Sequence, residues 1–196
     1  MAQPADNSFA KGFIAVSGLN LALSYENAAI DRLENRLSEC IVPEVKEKIK
    51  HHLGQTREQQ KHLQERIRAL GGEITSEKGH LPIPGPPQSI KVLIESRSTD
   101  NEREVWESLN DLIIERAEAI MYRGGIQALE LLQADKKTIK TLEKILKEEQ
   151  AFGDWLEKNN PKIAKRLMTK QLVDEKKRKK KKAVEYKDEV HETVPA

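Results

Sequence analysis

Apolar residues recur along this chain at alternating spacings of three and four, the period of an α-helix with one buried face. A first stripe runs through Leu19, Leu23, Glu26, Ile30, Leu33, Leu37 and Cys40 and predicts a helix over residues 17–40. Pro43 suits the first turn of a second helix. That helix carries Val45, Ile49, Leu53, Thr56, Gln60, Leu63, Ile67 and Leu70 and ends at Gly71-Gly72. A third stripe comprises Val105, Leu112, Glu115, Ala119, Tyr122, Ile126 and Leu129, behind an expected N-cap at Asp100 with Arg103 at the box position. Gly124-Gly125 is a weak point inside it, at about 1 kcal/mol per glycine relative to alanine. A fourth stripe starts near residues 134–137 and carries Ile139, Leu142, Ile145, Glu149, Phe152 and Leu156, with Asn159-Asn160-Pro161 expected to end the helix. A fifth helix over residues 161–183 carries Ile163, Leu167 and Val173. Nothing reads as a strand.

Residues 71–99 form a linker whose segment Leu81-Pro-Ile-Pro-Gly-Pro-Pro87 cannot continue a helix. A short helix over residues 90–95 is expected to interrupt it. So long a connection has a reason if it is a crossover that lets two helical hairpins pack in a non-adjacent order. The prediction is an all-α four-helix bundle over residues 1–158, followed by an extra C-terminal helix and basic tail over residues 159–196. Hairpins of similar length on either side of the linker suggest a two-fold structural repeat.

Composition narrows the function classes. No run of 18 apolar residues exists, which excludes a transmembrane helix, and the N-terminal residues have no apolar signal core. The one cysteine, Cys40, cannot form an internal disulfide or a Cys-based zinc site; it reads as a small buried hydrophobe in a chain suited to the cytoplasm. The formal net charge is +2, yet Lys176, Lys177, Arg178, Lys179, Lys180, Lys181 and Lys182 are seven consecutive positive charges, and setting them aside leaves −5. An acidic body therefore carries a basic tail.

Glu26, Glu115 and Glu149 lie on the apolar stripes of three different helices. A buried carboxylate needs a partner or a raised pKa, and convergent inward carboxylates are how helical bundles build di-iron or di-manganese sites. The pattern resembles the ferritin-like superfamily, and within it the YciF-type stress-protein family, over residues 12–158. Glu115 and Tyr122 fit a Glu-x6-Tyr motif, Glu148-Glu149 fits the paired acids of the last metal motif, and His52-Leu53-Gly54-Gln55-Thr56 resembles a His-Leu-Glu-Glu-Thr stretch. Glu26 stands 28 positions before Gly54, the separation that the resemblance implies for the first two glutamates.

The resemblance implies a metal-binding bundle with Glu-x-x-His on the second and fourth helices. This chain has Gly54 and Arg57 in the first motif and Phe152 at the end of the second. Three glutamates supply fewer ligands than two hard ions need, so the expected site is a vestigial di-metal site. Arg57 is the expected core ion-pair partner of the three acids, with Arg116 as a rival.

Other candidates are plainer. His51, Glu58 and His62 share one helix face among polar neighbours, which reads as solvated; His80 and His191 have no companions. No nucleophilic triad or phosphate-binding loop is present. The basic run favours nonspecific contact with DNA, RNA or anionic lipid. The leading expectation is a non-catalytic, stress-associated ferritin-like protein with a structural or interaction role, with a homodimer as its candidate assembly and no cofactor. The alternatives are a protein that binds iron or manganese and a nonspecific nucleic-acid binder acting through the tail.

Overall fold

The structure, a computed structural model, describes residues 7–81, 92, 96 and 98–192. It contains four long helices: α1 (Asn7–Glu39), α2 (Pro43–Ala69), α3 (Asp100–Leu131) and α4 (Lys136–Glu192). Among the described residues there is no strand, and no helix is long and apolar enough to cross a membrane. The Pro-rich stretch at 82–87 and, apart from Val92, the short helix expected over 90–95 lie outside the described residues.

Helix α1 begins before the expected start at residue 17, because Ala15 extends the buried spacing one turn earlier. Pro43 occupies the first turn of α2. Gly71, at φ 73°, closes α2: Gly72 N donates to Ile67 O at 2.9 Å and Gly71 N to Arg68 O at 3.0 Å, the reciprocal pattern that satisfies the last carbonyls of a helix. The cap of α3 is Thr99, one residue before the expected Asp100. Its hydroxyl accepts from Glu102 N at 3.2 Å, and Glu102 Oε2 accepts from Thr99 N at 2.7 Å, a complete capping box.

The linker returns along α1. Asn20 Nδ2 donates to Glu73 O at 2.8 Å, Thr75 N to Asn20 Oδ1 at 2.9 Å, Asn27 Nδ2 to Glu77 O at 2.9 Å and Gly79 N to Ser24 O at 2.7 Å. It therefore carries the chain back up the bundle before α3 begins. Helices α1 and α2 form one antiparallel hairpin and α3 and α4 the other. Pairs such as Arg36–Glu104 and Glu26–Tyr122 set α3 antiparallel to α1.

The core has two apolar clusters. One holds Leu19, Leu23, Leu63, Ile67, Ile126, Leu129 and Ile145; the other holds Leu33, Val45, Ile49, Leu53, Phe152, Leu156, Ile163 and Leu167. A layer of buried polar side chains lies between them. The break expected at Pro161 does not occur, and the separate fifth helix is the continuation of α4. Pro161 cannot donate to the Glu157 carbonyl. The helix is held through this point by Ile163 and Leu167, both buried in the second cluster, and by Asn160 Nδ2 donating to Ser108 O at 2.7 Å. No residue between 168 and 180 is buried.

Candidate metal centre

The buried polar layer is built from all four helices. Helix α1 supplies Glu26; α2 supplies His52, Thr56 and Gln59; α3 supplies Glu115, Glu118 and Tyr122; α4 supplies Glu149. Spacings of three, four and seven stack the contributions of each helix on one face.

At its centre, His52 Nε2 lies 3.2 Å from Glu115 Oε2 and 3.4 Å from Glu149 Oε2. These are the separations expected of neighbouring ligands that each stand about 2.1 Å from one first-row divalent ion. Neither oxygen receives a hydrogen bond of good geometry from the imidazole. The Phe152 ring packs against the imidazole at a centroid distance of 4.5 Å.

Around this triad, Gln59 Nε2 donates to Glu149 Oε1 at 2.7 Å and to Glu148 Oε2 at 3.0 Å, and the Tyr122 hydroxyl donates to Glu26. Six buried side-chain atoms among the described residues lack a hydrogen-bond partner. Five of them belong to this layer: His52 Nδ1, Gln59 Oε1, Glu115 Oε2, Glu118 Oε1 and Glu149 Oε2. Buried polar atoms are rarely left unpaired, and the two unpaired oxygens that face His52, one from Glu115 and one from Glu149, are what a cation requires.

Titration behaviour follows from this crowding. Burial, and then the charge of Glu149, push Glu26 well above the usual carboxylate range. Burial does the same to Glu118, with Glu149 and Glu115 adding to it. Glu115 is pushed up to about 8 by burial, against the opposing pull of His52. Burial disfavours the His52 imidazolium, but Glu115 and Glu149 outweigh it and raise its pKa. Glu149 is held low: burial works against its charge, and His52 together with the donors around it prevails.

Glu26, Glu115 and Glu149 are thus all buried in one layer, with Glu115 and Glu149 meeting at His52. Arg57 is not their partner. It lies on the outer face of α2, with 56% of its side chain exposed, and pairs with Glu34 at 2.7 Å. Arg116 also faces outward, to Asp154 at 2.8 Å and to Glu157. The register of α2 explains the correction. Its core face is His52, Thr56, Gln59 and Leu63, which leaves Gly54 and Arg57 on the solvent side.

His52, Gln59 and Glu118 were not among the sequence-predicted site residues. The available signal was register: His52 is four residues before Thr56, and Glu118 is three after Glu115. His51 and Glu58 are exposed and His62 half-buried, as a solvated face requires. Cys40 is buried beside Glu104, and burial pushes its thiol up to about 11.

A family model described as Domain of unknown function (DUF892) matches residues 16–169. The chain belongs to the DUF892 family. The DUF892 match takes in the whole polar layer and the bundle-forming part of all four helices, and the family lies within the ferritin-like superfamily. A solved protein structure from Xanthomonas campestris pv. campestris shares the DUF892 chain's fold, with a TM-score of 0.66 and 19% identity over 83% of this chain and 99% of that one. No curated protein matches the chain.

Proposed function

We propose that this ferritin-like bundle holds one divalent metal ion in its core, with His52, Glu115 and Glu149 as ligands, in place of a two-ion centre. The observation that carries this reading is the set of unpartnered buried oxygens converging on a single imidazole. Two carboxylates and one imidazole suit Mn2+ or Fe2+. The fit to two ions is poor, because Thr56 and Gln59 fill the inward positions of α2 and Phe152 stands one turn beyond Glu149. The site is therefore vestigial as a di-metal centre while retaining a single-ion donor set. A bound ion would supply Lewis acidity or a one-electron couple. The chain's own contribution is to exclude water between two apolar clusters and to hold a proton between Tyr122 and Glu26. The resemblance to YciF-type proteins supports a stress-associated role.

Equilibrium dialysis of EDTA-stripped protein against Mn2+, followed by elemental analysis, tests the reading. One ion per chain is expected, lost in both His52→Ala and Glu115→Gln. Two ions per chain, or binding indifferent to both substitutions, would overturn it.

A second reading concerns the tail. Residues 172–180 of α4 are all exposed, so Lys176, Lys177, Arg178, Lys179 and Lys180 stand free of the bundle on a continuous helix, which Lys181 and Lys182 extend. This supports nonspecific polyanion binding. A helix turns only part of the run toward one surface, so log K for duplex DNA should fall against log salt with a slope of roughly −3 to −5. Equal DNA affinity in protein truncated at residue 170 would refute it.

A further inference from the structure

The outward face of α4 is basic along much of its length. Lys140, Lys144, Lys147, Lys158, Lys162 and Lys165 follow one another at intervals of four, three, eleven, four and three residues. At about 3.6 residues per turn, these intervals hold all six within a sector of roughly 60°, turned away from the buried face that Ile145, Leu156 and Ile163 mark. All six are exposed, and every acid between Lys136 and Lys180 falls outside the sector. Among the described residues, Lys144 alone of the six forms an ion pair, with Glu148 at 3.8 Å. Asp154, at the margin of the sector, is bound by Arg116 at 2.8 Å. Lys176 and Lys180 continue the sector into the basic run. A solvated helix face ordinarily mixes signs, as the outward face of α2 does with Glu47, Lys50, Glu58 and Lys61, the last two 3.6 Å apart. At the start of α4 the basic face also borders a groove of about 610 Å³, lined by Lys136, Lys137, Lys140 and Lys144 on one side and by His62 and Arg66 of α2 on the other. The acid in its wall, Glu65, lies 3.8 Å from His62. An anion seated there meets donors from two helices.

We propose that duplex nucleic acid lies along this face of α4, its phosphates on the lysines from the α2–α4 groove to the basic run. The proposal deepens the tail reading and rests on it for the class of partner only, because it extends the same contact onto the bundle. Charge and shape both select the occupant. A duplex is a rod carrying one negative charge about every 1.7 Å, so it meets a helical stripe of lysines along its length. From Lys140 to Lys180 the face spans about 60 Å, the length of about 18 base pairs. A membrane surface fits less well. Helices that lie in a lipid interface set Trp, Phe or Leu beside their basic residues, whereas between Lys140 and Lys165 this sector holds only lysines and Ala151.

Binding of the full chain to a DNA duplex of about 24 base pairs at about 50 mM salt, read by fluorescence anisotropy, tests it. The salt slope should be steeper by about 2 than the tail's share alone. The triple variant Lys140→Gln, Lys144→Gln, Lys147→Gln should remove that excess and weaken binding about tenfold or more. Taking the same charge from α2, in Lys46→Gln, Lys50→Gln, Lys61→Gln, should change affinity less than about threefold. Equal losses in the two triples, or no loss in the first, would overturn the proposal, as would tighter binding to phosphatidylserine vesicles than to the duplex. A full chain with all seven residues of the basic run replaced by glutamine separates the face from the tail. It should keep a weakened binding that the α4 triple then abolishes. Unchanged affinity in that chain, with loss in the α4 triple, would refute the tail and uphold the face. Binding lost in that chain, with the α4 triple silent, would uphold the tail and refute the face.

Discussion

The bundle buries two groups of charged side chains, and they are built on opposite terms. Near the start of α3, Arg36 bonds Asp111 at 2.9 Å through Nε and Glu104 at 3.1 Å through Nη2, while Arg32 reaches the other Asp111 oxygen at 2.7 Å. Glu104 also accepts from Ile41 N at 3.1 Å. Two guanidiniums face two buried carboxylates, and no fully buried side-chain atom of these four residues is left unpartnered. Burial disfavours the Arg36 charge, but Asp111 and Glu104 more than restore it. In the polar layer at mid-bundle, four carboxyl groups face one imidazole, and five atoms have no partner. The first group is finished by the chain itself; the second is complementary to something with positive charge. Burial alone is thus a poor marker of a site, and unsatisfied burial is a good one.

The largest expected effect tests the finished group. Arg36→Ala leaves Glu104 buried without its counter-charge and Asp111 with Arg32 alone, and urea unfolding should show a loss of about 3–5 kcal/mol. A loss below about 1 kcal/mol would erase the distinction between the two groups.

Next comes the pH dependence of metal-stripped protein. Glu115 has a folded pKa of about 8 against an ordinary 4.5. The folded state therefore holds the proton more tightly than the unfolded chain does. That contribution is complete below about pH 4.5 and is lost as pH rises through about 8. Glu26, Glu118 and His52 are raised too and act in the same direction. The Tm of stripped protein should fall between about pH 5 and 8, Mn2+ should restore it, and Glu115→Gln should flatten the profile. A Tm that rises over this range would show that the layer is already balanced.

The smallest effect is expected at Arg57, whose exposed pair with Glu34 belongs to neither group. Arg57→Ala should cost less than about 1 kcal/mol in the same urea assay. A cost above about 3 kcal/mol would return it to the core.

The four helices, the crossover and the three buried glutamates were legible because apolar spacing reports burial wherever the buried residues are apolar. Helix α3 shows where that signal fails. Its buried face is Glu104, Ser108, Asp111, Glu115, Glu118 and Tyr122 before it becomes Ile126 and Leu129, while Trp106, Leu109 and Ile120 are exposed. Counting back from Leu129 in threes and fours recovers this face, but hydrophobicity alone selects Val105 and Leu112. The same one-residue choice on α2 favoured Gln60 over the buried Gln59 and placed the motif at Gly54 and Arg57. Pro161 misled for another reason: a local rule predicted a stop, and tertiary packing of Ile163 and Leu167 overrode it.

The uninterrupted α4 also acts as a spacer. At 1.5 Å per residue, the exposed run from Lys176 to Lys180 lies roughly 8–14 Å beyond Gln171, whose side-chain oxygen meets the Thr99 hydroxyl at the cap of α3 at 2.7 Å. The screening length at physiological ionic strength is about 8 Å. A polyanion lying across those lysines is therefore roughly one to two screening lengths from the nearest bundle contact, which weakens its repulsion by the acidic body.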